Sequence, residues 1–332
     1  MNALRFRLLP GLVLAAALSA APALAGRASD DLLPLVPPDA AAVAVVNWSE
    51  LRGTALGAKL LSETDKMTVD GDAARFMAEA RLDPKEDVDA IVAAGSPRTG
   101  DQTEGSVLVL FAGRFDTGRL SEAMANRGGI RQSTPAGDYY LVPEKSESHH
   151  GKPGAVAFAS SRLVIAGDAG SVAAALARRK AGGASFEARA VLGKNTSRIS
   201  TDASAWALID LQKFPASRRE NVTASGEAGQ LLGAMKQVSV VALQASVRGD
   251  ALDLAAAGVV DNAETRQLLE DSLRGVVAMW RLAVQDKNPE AVTMLRRFKI
   301  FSDNQAVTIQ GTLTGDYLRS IADKRAQNVA PR

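Results

Sequence analysis

The side chains best suited to metal or acid-base chemistry in this sequence are its only two histidines, His149 and His150. They are adjacent in a polar loop that also carries Glu144 and Glu147, and imidazole with carboxylate is a common zinc ligand set. Neighbouring side chains of one loop rarely point at the same ion, and no cysteine or third histidine is available to complete a site. We therefore interpret the loop as solvated, with a metal site at His149 and His150 as the alternative.

The scarcity of histidine also limits nucleophilic catalysis. A Ser-His-Asp arrangement would have to use the adjacent pair, and a cysteine nucleophile is excluded because the chain has no cysteine. Residues 26–332 contain neither Gly-x-Ser-x-Gly nor Ser-x-x-Lys, two common signatures of serine hydrolases. The sequence accordingly predicts no catalytic residue and no cofactor.

A glycine-containing stretch, Gly167 to Ser171, follows a predicted strand and opens a predicted helix, which is where phosphate-binding loops lie. The stretch lacks the Gly-x-Gly-x-x-Gly spacing, and Gly193-Lys194 is followed by Asn195 where a P-loop has Ser or Thr. We predict instead that Asp168 or Ser171 caps the helix, as these residue types commonly do.

Two groups of acidic residues could serve calcium binding or glycoside hydrolysis. They are Asp83, Glu86, Asp87 and Asp89 around a proline turn, and Asp70 and Asp72 on either side of Gly71. Neither group has EF-hand spacing, and opposed glycosidase carboxylates cannot be recognised from sequence. Because Asp and Glu favour turns and the first turns of helices, structural roles are predicted, with a carboxylate-dependent hydrolase as the alternative.

The elements that would position these residues follow from the periodicity of apolar side chains. The clearest example is the stretch 237–260, in which Val241, Leu243, Ala245 and Val247 alternate with polar residues, turn at Arg248-Gly249-Asp250, and alternate again at Leu252, Leu254 and Ala256. This pattern predicts one long β-hairpin. A hairpin cannot bury its apolar face alone, so helices must cover it.

Both halves of the chain repeat one order of elements: strand, helix, strand, strand, helix, hairpin, helix. This order predicts an α+β fold of two tandem, internally repeated units with largely antiparallel sheets covered by helices. The predicted boundaries are a signal peptide at 1–25, a linker at 26–40, a first repeat at 41–181, a connecting segment at 182–203, a second repeat at 204–326 and a tail at 327–332. The apolar stripe from Leu268 to Trp280 is predicted to be core, with a partner-binding face as the alternative.

The first 25 residues have the composition of a cleaved export signal. Arg5 and Arg7 precede an apolar run from Leu8 to Ala21, and Ala23-Leu24-Ala25 forms a small-x-small cleavage site before Gly26. We therefore expect a protein of the periplasm or the extracellular space, not membrane-spanning after cleavage, because the apolar run is shorter than the roughly 20 residues of a spanning helix.

The charge balance limits the partners. Cleavage removes two of the 39 basic residues and none of the 37 acidic ones, which leaves 37 of each. A neutral chain argues against nucleic acid or an anionic membrane as the partner, since both attract clustered Lys and Arg. The absence of cysteine means that burial, not disulfides, must stabilise an exported fold.

The start of the predicted mature chain carries a resemblance. Leu35-Val36-Pro37-Pro38-Asp39-Ala40 followed by Val43 to Asn47 resembles the opening of uncharacterised exported bacterial proteins of the domain-of-unknown-function type, with a Pro-Asp-Ala turn before the first strand. The resemblance implies an envelope protein of unassigned role, and it brings no family active site with it.

Taken with the few side chains suited to catalysis, these features predict an exported, soluble, non-enzymatic binding or scaffold protein. Its predicted partner is an unknown protein or a small apolar ligand. Two alternatives remain: a carboxylate-dependent hydrolase acting on cell-envelope material, and a structural or assembly subunit.

Overall fold

The computed structural model describes residues 27–54, 72–97, 105–142, 153–188, 191–214, 236–285, 289–318 and 320. The predicted signal peptide at 1–25 lies outside these residues, as do the loop with His149 and His150, Asp70, and the predicted tail.

Twelve strands in the described part of the chain form one antiparallel sheet. They are β1 (Ala42–Val46), β2 (Val88–Ser96), β3 (Ser106–Gly113), β4 (Ile130–Thr134), β5 (Gly137–Leu141), β6 (Gly154–Ser160), β7 (Leu163–Asp168), β8 (Ala205–Asp210), β9 (Val240–Arg248), β10 (Ala251–Val259), β11 (Lys299–Ser302) and β12 (Ala306–Leu313). Their order across the sheet is β11-β12-β10-β9-β8-β1-β2-β3-β7-β6-β5-β4. Strands of both predicted units therefore belong to one continuous sheet.

The helices lie between strands in sequence and pack on the sheet. They are α1 (Trp48–Arg52), α2 (Asp72–Ala80), α3 (Pro84–Asp87), α4 (Thr117–Asn126), α5 (Ala169–Ala181), α6 (Ala263–Val284) and α7 (Pro289–Leu295), with short 3-10 helices at Leu33–Leu35, Gly193–Arg198 and Leu211–Lys213. Side chains of the preceding residues start several of them: Asp116 accepts from the Arg119 backbone N–H, and Asn262 from that of Thr265. The predicted α+β fold with a large antiparallel sheet and helices is confirmed.

The centre of the sheet is the antiparallel pair β1 and β8, in which Ala44 lies opposite Ala207. From this pair the order outward is β1-β2-β3-β7-β6 on one side and β8-β9-β10-β12-β11 on the other. The residue after β1, Asn47, donates its backbone N–H to Ser204 O at 2.8 Å, and the last residue of β8, Asp210, donates to Ala41 O at 2.7 Å. Both ends of the central pair are thus closed by the same kind of hydrogen bond.

One face of the sheet, here called the α5 face, carries the main core. Val45, Leu110, Ile165 and Trp206 belong to this face and pack in one cluster with α5. The cluster also contains side chains from the predicted linker and the predicted connecting segment, which are Leu32, Leu35, Val36, Phe186, Leu192 and Ile199. Both stretches are therefore packed in the core, on the same face of the sheet as α5.

The opposite face, the α6 face, is covered by α1, α2 and α4 over the first half of the sheet and by α6 over the second. Ile91 and Phe111 pack with Leu120 of α4, while Val241 and Val307 pack with Leu269 of α6. The alternation in the sequence of β9 suggested that only one face of this strand is buried. The structure differs from that expectation. Val240 and Ala242 are buried on the α5 face, and Ala245 and Val247 on the α6 face. Both faces of the strand are therefore covered, at different positions along it.

Candidate functional site

Three acids around the turn 83–89 have structural partners, and the fourth, Glu86, accepts hydrogen bonds from Arg52 and Arg114 through its backbone oxygen. Asp83 caps α3 by accepting from the Lys85 backbone N–H at 2.9 Å, and Asp87 accepts from the Asp83 backbone N–H at 2.8 Å. Asp89 forms an ion pair with Arg52, and Arg114 lies 3.9 Å from the same carboxylate. These carboxylates therefore fasten α3 and its neighbours to the start of β2.

The stretch from Gly167 to Ser171 is a helix start. Asp168 caps α5 by accepting from the Ser171 backbone N–H at 2.9 Å and from the Ser171 hydroxyl at 2.8 Å, and it also accepts from the Val107 backbone N–H at 3.0 Å. Gly167, with φ +155°, lets β7 approach β3 so closely that a Cβ would lie 2.2 Å from Val107 O. Lys194 is exposed in the 3-10 helix Gly193–Arg198.

Metal ligands are not gathered in the described residues, where no group of three or more His, Asp or Glu could hold an ion. The metal candidates His149 and His150 lie outside these residues, as does the side chain of Asp72. The metal hypothesis for this pair therefore stays a prediction.

One acid of the described residues whose pKa is shifted by burial is Glu50 of α1. Its side chain is 12% exposed and its Oε1 lies 3.9 Å from Arg27 Nε. Burial raises the pKa of Glu50 above its ordinary value, and a hydrogen bond with Ser204 and the charge of Arg27 offset the rise only in part. Glu50 Oε2 is buried without a hydrogen-bond partner. The burial of this carboxyl is therefore only partly compensated by its partners. Glu50 does not line either of the two cavities found in the described residues.

The best candidate for a binding site is an apolar cavity of about 200 Å³ on the α6 face, in the second half of the sheet. Its floor is made by side chains from four strands: Ala205, Ala207, Leu243, Leu254, Ala256 and Ile309. Phe298, between α7 and β11, forms part of its wall. Leu243, Leu254 and Ile309 are partly exposed, so the cavity is accessible from solvent.

The strand register explains why these residues meet. Ala207 lies opposite Leu243, Leu243 opposite Ala256, and Ala256 opposite Ile309. Residues directly opposite each other in an antiparallel sheet point to the same face, so these four side chains form one row across β8, β9, β10 and β12. Two alanines in the row leave room that the side chain of a larger residue would fill.

The cavity is lined by uncharged residues. Among the described residues that line it, none is ionisable, and the side chain of Gln244, which is opposite Trp206, points to the α5 face, where it accepts from the Ser200 backbone N–H at 2.5 Å. An ionised group would lose its hydration there without gaining a partner. The arrangement suits retention of an uncharged apolar group.

Sequence reasoning found part of this site. The alternation in the stretch 237–260 already assigned Leu243, Leu254 and Ala256 to an apolar face. It did not bring Phe298 or Ala207 to them, because no local pattern records which strands become neighbours.

A second apolar feature is the exposed end of α6. Leu269, Leu273 and Val277 pack toward the sheet as predicted for the stripe from Leu268 to Trp280. Leu268 itself is 44% exposed and Trp280 60% exposed, so the prediction that the whole stripe is core is wrong. Leu268 is adjacent to Leu269 and projects from another side of the helix, whereas Trp280 lies toward the end of α6. The partner-binding alternative for this surface stays a prediction.

No protein-family model matches the chain, and no curated protein matches it. Similar solved structures include three crystal forms of TP0453. Form III has a TM-score of 0.49 at 11% identity over 88% of this chain and 97% of that chain. Form IV has a TM-score of 0.47 at 10% identity over 87% of this chain and 95% of that chain. Form I has a TM-score of 0.44 at 10% identity over 88% of this chain and 96% of that chain. Similarity at this level carries no inference about function.

No helix in the described residues combines the length and the apolar composition needed to span a membrane.

Proposed function

We propose that this protein is a non-enzymatic binding protein and that its ligand is a small apolar molecule, or the apolar part of a larger one, held in the cavity on the α6 face. The observation that carries the proposal is the cavity itself, with a row of apolar side chains as its floor.

The size of the cavity supports this ligand class. An apolar cavity of roughly 150 Å³ in a well-packed protein stays dry and takes up benzene or xenon. A cavity of about 200 Å³ therefore accommodates an aromatic ring or a short hydrocarbon segment. The side chains that face the cavity offer water no hydrogen-bonding group, since Gln244 points to the α5 face, so an apolar guest gains more from the site than water does.

The test is a fluorescence titration with the uncharged probe N-phenyl-1-naphthylamine, whose emission rises in apolar surroundings. Ala256→Leu adds a branched side chain to the middle of the floor and should weaken probe binding at least tenfold. Ala125→Leu makes the same change at an exposed position of α4 and should leave binding unchanged. Equal affinity in wild type and Ala256→Leu would overturn the proposal, and so would a wild type that does not bind the probe.

We also propose that the protein acts after export, supported by the composition of residues 1–25 and by the resemblance of residues 35–47 to exported proteins of unassigned role. The hydrolase and assembly alternatives have no support from the described residues, in which Asp83, Asp87 and Asp89 of the 83–89 turn already have structural partners.

We infer further that the two halves of the fold are copies of one unit. The supporting observations are the matching strand order on both sides of the β1 and β8 pair, and the matching hydrogen bonds from Asn47 to Ser204 and from Asp210 to Ala41. Crystallography should show that residues 41–180 superpose on 204–324 with strands in the same order. The extra hairpin β4-β5 and the longer α6 should be the main departures, and a different order of elements would contradict the duplication.

A further inference from the structure

The wall of the cavity at its β12 end is the ring of Phe298. This residue follows α7, and its backbone N–H donates to Leu295 O at 3.3 Å. This hydrogen bond holds the backbone of Phe298 at the end of the helix. The ring lies against Gly311 of β12: a Cβ built on that glycine would lie 2.7 Å from two ring atoms. Gly311 therefore makes room for the ring, because any side chain at this position would displace it.

The position of Gly311 defines where the ring lies relative to the floor. Gly311 is two residues from Ile309 on the same strand, so both are on the α6 face, and Gly311 is directly opposite Leu254. Ile309 is the last member of the row that begins at Ala207. The Phe298 ring thus lies beside the β12 end of that row.

The row itself is elongated. From Ala207 to Ile309 it crosses four neighbouring strands, which makes three strand spacings and a length of about 14 Å. It is one side chain wide, and its members are all aliphatic. A floor of this shape fits a linear hydrocarbon chain lying across the strands better than a compact ring system.

We propose that the ligand carries a linear alkyl chain and that Phe298, seated on Gly311, is the specificity-determining residue that limits its length. The inference rests on the proposed binding function of the same cavity. The chain lies along the row, its methyl end meets the Phe298 ring, and its polar end remains outside, because the lining has no ionisable group to receive it.

The test uses straight-chain primary alcohols of increasing length, which displace N-phenyl-1-naphthylamine from the protein. For the wild type, affinity should increase about fourfold with each added methylene until the chain reaches the ring, and then level off. In Phe298→Ala the increase should continue to longer chains. A shift of two methylenes would give a roughly 15-fold higher affinity for the longer alcohol.

Two further variants make the result decisive. Phe298→Leu keeps an apolar residue and should move the limit by a smaller amount, so it serves if Phe298→Ala does not fold. Phe301→Ala removes the same side chain three residues later, on β11, where it is 43% exposed on the α5 face, and should leave the limit unchanged.

The outcomes separate the two proposals. If alcohols compete for the wild-type site but the limit is the same in Phe298→Ala and Phe298→Leu, the role of Phe298 is wrong and the cavity is still a binding site. If no alcohol displaces the probe from the wild type, or the probe does not bind, the proposed function fails and the inference fails with it.

Discussion

Replacing Trp206 by alanine should strongly destabilise the protein. Trp206 is 2% exposed near the start of β8, in the main core on the α5 face. Its ring packs against that of Phe186, with centroids 6.1 Å apart and planes tilted by 41°. Phe186 comes from the stretch 182–203, which the sequence predicted to be only a connecting segment.

The magnitude follows from the burial. Truncating a buried Trp or Phe to alanine costs about 3–5 kcal/mol, because both the transfer free energy and the packing around the new cavity are lost. Aromatic pairs add about 0.5–1.5 kcal/mol beyond their buried area. We therefore expect Trp206→Ala to lower the free energy of unfolding by about 3–5 kcal/mol, a large part of the roughly 5–15 kcal/mol typical of folded proteins.

The assay is urea unfolding followed by far-ultraviolet circular dichroism, which does not depend on the tryptophan removed. Trp280→Ala is the matched control, since Trp280 is 60% exposed on α6 and its removal should change stability by less than about 0.5 kcal/mol. A double-mutant cycle with Phe186→Ala should show a coupling free energy of about 0.5–1.5 kcal/mol. Equal costs for Trp206→Ala and Trp280→Ala, or zero coupling to Phe186, would refute the packing of the 182–203 stretch on the sheet.

Three other predictions concern single features. Because burial raises the pKa of Glu50 in the folded state, the ionised carboxylate destabilises the fold. Glu50→Gln should therefore become more stable relative to wild type as the pH rises above about 4.3, and a difference in unfolding free energy that does not change with pH would contradict this. Gly167→Ala should cost at least about 1 kcal/mol, because its Cβ would lie 2.2 Å from Val107 O, whereas Gly275→Ala inside α6, with no atom within 4 Å, should stabilise by about 0.5–1 kcal/mol in the same unfolding assay. Intact mass of the protein recovered from the envelope fraction should correspond to a chain that begins at Gly26, and a membrane-bound species that retains Met1 would exclude cleavage after Ala25.

The strands could be predicted from sequence because their signal is local. In the stretch 237–260 the alternation of apolar residues and the Arg248-Gly249-Asp250 turn place a hairpin that the structure has at Val240–Arg248 and Ala251–Val259. The start of α5 could be predicted in the same way, since Asp168 caps this helix with its side chain as expected.

Packing between distant segments could not be predicted in the same way. Leu35 and Phe186 lie among glycine, proline and serine without helical or strand periodicity, yet both are buried in the main core. Their burial depends on the space that α5 leaves above the sheet, which no local pattern encodes. The exposure of Trp280 has the same kind of cause: the apolar stripe of α6 is continuous in sequence, but the sheet contacts only part of it.

Only part of the floor of the candidate site could be predicted from the sequence. Leu243 and Ala256 were already placed on one apolar face, but the cavity requires their register with Ala207 and the position of Phe298 on Gly311. These contacts join residues that are far apart in the chain, so they follow from the completed fold and not from any one stretch.

The most direct test of the binding site is a crystal structure of the protein soaked with a brominated straight-chain alcohol, in which anomalous scattering locates the bromine. Binding in the cavity predicts a peak above the row formed by Leu243 and Ala256, close to the Phe298 ring. A peak on the exposed end of α6 beside Trp280, or no ordered bromine near Leu243, would contradict the assignment of this cavity as the binding site.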